Sequence, residues 1–145
     1  MKVLLQRSGP ASVCVDKQIV GAIDSGLVLL VGIEKHDGPE NLKKMAEKVL
    51  NYRVFSDADD KMNLNVQQIN GGLLVISQFT LAAETKKGLR PGFSSAAAPA
   101  QAKQLFDEFL QHLKQSSCQV ETGKFGADMK VQLLNDGPVT FLLEN

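Results

Sequence analysis

Hydrophobic and polar positions alternate through the opening segment of the chain. Met1-Lys2-Val3-Leu4-Leu5-Gln6-Arg7 reads as a first strand; further on, Val13 and Val15 face one way while Ser12, Cys14 and Asp16 face the other. Gln18 to Ile23 follows a tight connection at Asp16-Lys17. Leu27-Val28-Leu29-Leu30-Val31-Gly32-Ile33 is unbroken apolar sequence, short and rich in branched residues, which predicts a strand covered on both faces. With further breaks at Ser8-Gly9-Pro10 and Ser25-Gly26, these pieces predict an antiparallel meander.

The period then changes. Pro39 suits a first helical turn, and Leu42, Met45, Ala46, Val49 and Leu50 recur at helical spacing opposite Glu40, Lys43, Lys44, Glu47 and Lys48. A second amphipathic helix opens at Pro99, with Leu105, Phe106, Phe109, Leu110 and Leu113 as its apolar stripe. Between the helices lie a polar, irregular stretch from Ser56 to Gly71, a buried strand from Leu73 to about Leu81, and a long loop from Ala82 to Ala98. Loops of that length in a small domain are often functional. Strand-like sequence returns around Cys118–Glu121, Met129–Leu134 and Val139–Leu143. No repeat or linker divides the chain. Residues 1–145 are therefore expected to form one α/β domain, a mostly antiparallel, barrel-like or sandwiched sheet with two amphipathic helices packed on it.

Composition narrows the classes of function. With 43% hydrophobic and 22% charged residues, the 145-residue chain can build a core and is not disordered. Sixteen basic residues balance sixteen acidic ones, which excludes a polycation but leaves recognition of a nucleic-acid end open. No apolar stretch approaches the roughly 20 residues that cross a bilayer, so no membrane partner is expected. Cys14 and Cys118 make neither a disulfide framework nor a metal set and read as reduced thiols of a cytoplasmic protein. Asp57-Ala58-Asp59-Asp60-Lys61 hints at a calcium loop. Lys61 occupies a ligand position, however, Met62 replaces the turn glycine and Gln68 the closing glutamate, so calcium is rejected there.

Common catalytic signatures are missing: there is no phosphate-binding glycine loop, no Gly-x-Ser-x-Gly and no His-Glu-x-x-His. His36 in a turn and His112 on a helical flank read as surface or half-buried residues rather than general bases. Two segments are chemically odd. In a continuing strand, Ser77-Gln78-Phe79-Thr80 puts Gln78 and Thr80 on one face and Ser77 and Phe79 on the other. That cluster is either an internal hydrogen-bond network or the floor of a pocket. Thr80 is a candidate nucleophile, with no activating base near it in sequence. In Asn135-Asp136-Gly137-Pro138-Val139-Thr140, Asp-Gly signals a tight hairpin turn. The Gly-Pro step also presents carbonyl acceptors on a stiff backbone, a device able to hold an ammonium group.

At these two segments the chain resembles the D-aminoacyl-tRNA deacylases of the bacterial and eukaryotic type, essentially from Met1 to Leu143. The marks are Ser77-Gln78-Phe79-Thr80-Leu81-Ala82-Ala83 and Asn135-Asp136-Gly137-Pro138-Val139-Thr140. Supporting matches are Leu4-Leu5-Gln6-Arg7, Tyr52-Arg53-Val54-Phe55-Ser56-Asp57, Lys61-Met62-Asn63-Leu64-Asn65-Val66 and Arg90-Pro91-Gly92-Phe93-Ser94. Ser8 departs from the pattern, which has a branched apolar residue there.

The resemblance implies an editing hydrolase. Such an enzyme cleaves the ester between a D-amino acid and the terminal adenosine of tRNA, and clears glycine mischarged onto alanine tRNA. It implies a homodimer with active sites at the subunit interface, Ser77, Gln78, Phe79 and Thr80 as catalytic lining, and a cis Gly137-Pro138 step entering the partner's pocket. Arg7 matches the residue that steadies this step, and Phe125 and Met129 fall where the family holds the adenine. The resemblance further implies that the RNA's own 2′-hydroxyl assists the attacking water, with no protein side chain as nucleophile; no metal or cofactor is expected. The expected partner is the acylated acceptor end of tRNA, not DNA. Lys86, Lys87 and Arg90 are candidates for its phosphates, against the plainer reading of a solvated loop. Two rivals remain: a noncatalytic RNA-end or small-ligand binding domain in which Thr80 and Gln78 are structural, and an esterase or thioesterase that uses Thr80.

Overall fold

One uninterrupted strand, β1 (Lys2–Val15), organises the fold in a computed structural model that describes residues 1–86 and 88–145. It runs through Ser8-Gly9-Pro10, where the sequence predicts a break. There the register slips, between Gln6 and Ser8 and again between Ser8 and Ala11, so the segment is bulged rather than turned. Gly and Pro punctuate a bulge as readily as a loop. Ser8 is buried, and its hydroxyl donates to the Leu134 carbonyl at 3.1 Å, which satisfies the polar atom where an apolar side chain was expected.

Strand β2 (Gln18–Ile23) returns along the C-terminal half of β1, and β3 (Gly26–Gly32) continues along its N-terminal half. The expected meander is thereby corrected: β3 pairs with β1, not with β2, because Asp24-Ser25 kinks the return path without reversing it. Helix α1 (Pro39–Asn51) begins behind Gly38, whose N–H donates to Asn41 Oδ1 at 2.7 Å, and buries Leu42, Met45, Ala46 and Val49. The stretch expected to be irregular contains a small hairpin, β4 (Phe55–Ser56) with β5 (Met62–Leu64). Its turn explains the acidic run. Asp57 accepts bonds from the Lys61 and Asp59 N–H groups and from Asn63, and these hold its carboxyl below the usual aspartate range.

Strand β6 (Gly72–Ser77) lies parallel to β3, and after α2 (Pro99–Lys114) the short β7 (Val120–Thr122) lies parallel to β6. Strand β8 (Lys130–Glu144) closes the other side of β1, antiparallel. The resulting order β2-β1-β3-β6-β7 curls until β7 approaches β2, where Gln119 Nε2 reaches the Ala22 carbonyl at 3.5 Å. The domain is a nearly closed, barrel-like mixed sheet with two helices.

The continuous apolar run is covered on both faces, as its composition predicts. Leu27, Leu29 and Val31 of β3, with Leu73 and Val75 of β6, pack under the helices. Val28 of β3 and Leu74 and Ile76 of β6 fill the barrel interior with Ala11, Val13 and Ile23. Each fully buried leucine or valine stabilises by roughly 1.5–3 kcal/mol, so the two-sided β3–β6 pair is the most heavily anchored part of the sheet. No helix of the described residues is long and apolar enough to cross a membrane.

Candidate active site

The β3–β6 ladder gains one more rung beyond β6, from Gln78 N–H to the Val31 carbonyl at 2.7 Å. Strand geometry then stops. Gln78 has φ −140° and ψ 77°, and Phe79–Ala82 winds into a 3₁₀ turn. The continuing strand expected through Leu81 is corrected accordingly, and the alternating faces of Gln78–Thr80 and Ser77–Phe79 do not exist. A long-range contact permits the turn: Gly32 lies beneath it, where an added Cβ would sit 3.1 Å from the Gln78 carbonyl oxygen and 2.9 Å from Leu81 Cβ. No two-residue window of the sequence reveals that approach.

The turn lifts Phe79 and Thr80 into solvent at the mouth of a cavity of about 450 Å³. Ser77, Gln78 and Phe79 line one side, Phe125, Gly126 and Met129 another. Pro99, Ala102 and Phe106 of α2 form a third wall; of these, only Phe106 belongs to the apolar stripe expected from the sequence. The lining is mainly apolar, and the volume suits a small-molecule or nucleoside-sized group. Phe106 and Phe125 meet with ring centroids 5.8 Å apart, so the adenine-side candidate is braced from the helix. Thr80 accepts a hydrogen bond from Gln78 Nε2 at 2.6 Å but does not itself line the cavity. The segment thus combines one local hydrogen bond with a wall of the cavity.

Among the described residues, no base hydrogen-bonds Thr80. His36 is exposed and lines a different recess, shared with Met1, Glu34 and Asp37. His112 sits on α2, 3.9 Å from Glu108, with its Nε2 buried and lacking a hydrogen-bond partner among the described residues. The titratable side chain in the cavity lining is Asp128, whose carboxylate is engaged by Lys130 at 2.9 Å. Among the described residues, no three His, Cys, Asp or Glu side chains converge as metal ligands.

The second expected cluster forms elsewhere. Opposite Arg7 of β1, β8 bulges outward: Ser8 pairs with Asn135 and Gln6 with Thr140, which leaves Asp136–Val139 facing a single residue. The expected hairpin turn at Asp136-Gly137 is corrected to this bulge within one strand. The side chain of Asn135 shapes it from within, accepting from Val139 N–H at 2.7 Å and donating to Thr140 Oγ1 at 2.9 Å. Arg7 pins it from below. Its Nε donates to the Asp136 carbonyl at 2.9 Å and its Nη1 to the Val54 carbonyl at 2.7 Å. Gly137 has φ +140°, and a Cβ there would lie 2.6 Å from Val139 Cγ2, so only glycine suits the crest. The Gly137–Pro138 peptide bond is cis, and both residues are exposed.

Within one chain the clusters stay apart. Arg7 lies opposite Leu27 at the start of β3, whereas Ser77 lies opposite Val31 at its far end. Neither Arg7, Gly137 nor Pro138 lines the cavity of Ser77, Phe125 and Met129. Of the loop candidates, Lys86 and Arg90 are exposed, and Lys87 falls outside the described residues. Phe93 was missed as an individual residue. It packs on Phe79 with centroids 5.1 Å apart, and its only sequence signal is its place in the Arg90–Ser94 motif, of which Arg90 alone has an expected role.

Comparison with known proteins adds independent findings. The profile of the family described as D-Tyr-tRNA(Tyr) deacylase matches residues 4–144. A D-aminoacyl-tRNA deacylase of Saccharophagus degradans is 65% identical over 143 residues, covering 99% of both chains. Its namesake in Shewanella amazonensis is 59% identical over 144 residues, again covering 99% of both. Among solved structures, one named "c-Myc DNA Unwinding Element Binding Protein" superposes with a TM-score of 0.95 at 39% identity, covering 100% of this chain and 99% of that one. Another, "Structural Analysis of a probable eukaryotic D-amino acid tRNA deacylase", reaches a TM-score of 0.84 at 16% identity over 98% of this chain and 97% of that one; it shares the fold.

Proposed function

Since this chain belongs to the D-Tyr-tRNA(Tyr) deacylase family, we propose that it is a D-aminoacyl-tRNA deacylase that frees tRNA of D-amino acids and of glycine mischarged onto alanine tRNA. The observation that carries the reading is the pairing of an apolar cavity under Ser77–Phe79 with an exposed backbone crest at Gly137-Pro138 that the same chain cannot bring to it. Phe125 and Met129 suit the flat adenine of the terminal nucleotide. A second copy, related by a two-fold axis, supplies the crest to each cavity. Exposed Leu134 and Leu142 on β8, on either side of the crest, favour such an association.

Chirality then follows from geometry. Carbonyls of the crest accept hydrogen bonds from the substrate's α-ammonium while the ester rests near Phe79 and Thr80. With those two groups fixed, an L side chain is driven into the crest backbone and a D side chain points away from it. Glycine has nothing to collide and passes. Water attacks the ester carbonyl carbon, the bond to the ribose oxygen breaks, and the adjacent 2′-hydroxyl relays the proton to the leaving oxygen. That route is supported by the lack of a side-chain base beside Thr80 among the described residues.

The test is hydrolysis of matched D- and L-phenylalanyl-tRNA, with glycyl-tRNA and a simple thioester alongside. Fast release from the D and glycyl forms alone is expected. Equal rates on both enantiomers would refute chiral selection, and turnover of the thioester would favour the Thr80 esterase reading. Binding without any hydrolysis would favour the RNA-end binding domain.

A further inference from the structure

Apart from Phe93 and the cavity-lining Ala97, the loop from Ala82 to Ala98 has no part in the site described so far, although hydrogen bonds tie its two ends together. Glu84 and Gly92 exchange backbone hydrogen bonds of 2.7 and 3.0 Å, which ties together the two ends of an intervening tip whose Lys86 and Arg90 are exposed. Below the tip, Ser95 donates its hydroxyl to the Ala82 carbonyl, and Lys35 N–H bonds the Ser95 carbonyl at 3.0 Å. The tip carries Lys86, Lys87 and Arg90 and no acidic residue, in a chain whose net charge is zero. Beside it lie Phe79 and Phe93, with centroids 5.1 Å apart and planes inclined by 46°, and they remain 61% and 40% exposed. Two large exposed rings held side by side are unusual on a surface. Phe79 also lines the cavity, so the aromatic pair borders the pocket, and Phe93 follows directly on Gly92 at the base of the tip.

We propose that this surface is the track by which the single-stranded 3′ end of tRNA enters the cavity. The proposal rests on the deacylase reading and extends it from the terminal nucleoside to the residues before it. The exposed face of Phe93, braced by Phe79, takes the penultimate base by stacking, and Lys86 and Arg90 take the flanking phosphates. Base stacking on aromatic rings and cations along the backbone are the two elements of sequence-tolerant single-strand binding. Charge complementarity selects the occupant: a polyanion is drawn to a basic tip that an apolar peptide would avoid.

The experiment compares KM, kcat and the dependence of KM on salt for D-phenylalanyl-tRNA. In the Lys86→Ala, Arg90→Ala double variant, KM should rise on the order of tenfold at low salt while kcat holds, and the slope of log KM against log salt should fall by about 1–1.5. Phe93→Leu, which keeps an apolar neighbour for Phe79, should raise KM roughly tenfold with an unchanged slope, because stacking releases no counterions. Lys43→Ala, Lys44→Ala removes the same charge from the exposed side of α1 and should change neither quantity. A wild-type slope in the double variant, or a fall in kcat at unchanged KM, would overturn the track. A wild-type KM in Phe93→Leu would overturn its stacking half. Failure of the deacylase reading is distinguishable: the wild type would then bind a CCA-ended RNA oligonucleotide with the same salt slope yet release no D-amino acid.

Discussion

The Gly137-Pro138 crest and the cavity beside Phe79 are built by opposite means. The crest is backbone held out into solvent by polar contacts, with Arg7 beneath it and the Asn135 side chain inside it. The cavity is a space left between apolar surfaces, with β6, α2 and the segment around Phe125 each giving one wall. One region is stiffened where it protrudes and the other is shaped where it recedes. Parts made this way need not be neighbours in the chain that encodes them.

The largest effect expected from that division is recovery of activity by mixing two dead proteins. Arg7→Ala loosens the crest and spares the cavity, whereas Phe125→Ala spoils the cavity and spares the crest. Each alone should lose at least about a hundredfold in kcat/KM. Co-expressed at equal levels, a two-fold dimer gives mixed pairs with one intact site each, so about one quarter of wild-type activity should return. No recovery in a sample shown by mass spectrometry to contain mixed dimers would break the composite site.

Next in size is the stability of the crest itself. Arg7→Ala removes two charge-assisted hydrogen bonds and leaves the Asp136 and Val54 carbonyls short of donors. A loss of about 2–4 kcal/mol in urea unfolding is expected. Smaller still is Thr80→Ala, which removes the acceptor for Gln78 and one orienting hydroxyl. Its transition-state cost should be about 1–3 kcal/mol, leaving measurable turnover. Detection of an acyl-Thr80 adduct by mass spectrometry would reverse the assignment. The smallest change belongs to Asp136→Asn. Its carboxylate stands 3.4 Å from Arg7 but is 66% exposed, so water screens the pair and stability should move by less than about 1 kcal/mol. A larger loss would mean that charge, rather than the Asp136 backbone carbonyl, holds the crest.

The two regions were not equally legible in the sequence. Periodicity reports burial, so the two-faced run at Leu27–Ile33 and the stripes of Leu42–Val49 and Leu105–Leu113 were readable. Breaks were harder. Ser8-Gly9-Pro10 and Asp136-Gly137 carry the residues of turns, yet β1 and β8 hold each other straight along their length and turn both breaks into bulges. Conversely, the apolar Leu73–Leu81 pattern predicts one long strand, and the space for its early end is left by Gly32, forty-odd positions earlier in the chain. The contact of Phe93 with Phe79 is of the same kind. Resemblance supplied residue identities at both regions, but the 3₁₀ turn that lifts Phe79 away from the sheet required coordinates.

The pairing of β1 along both edges also bears on how the chain is made. β1 meets β2 and β3 soon after leaving the ribosome, so one edge is covered early. Its other edge waits for β8, with Lys2 opposite Glu144 and Cys14 opposite Lys130. Until then a long strand with an apolar face stands open to any neighbouring nascent chain, the situation in which strand edges aggregate. Slow synthesis late in the message would prolong that exposure, and fast synthesis would shorten it. For this topology, codon choice between the segments encoding α2 and β8 is a folding variable.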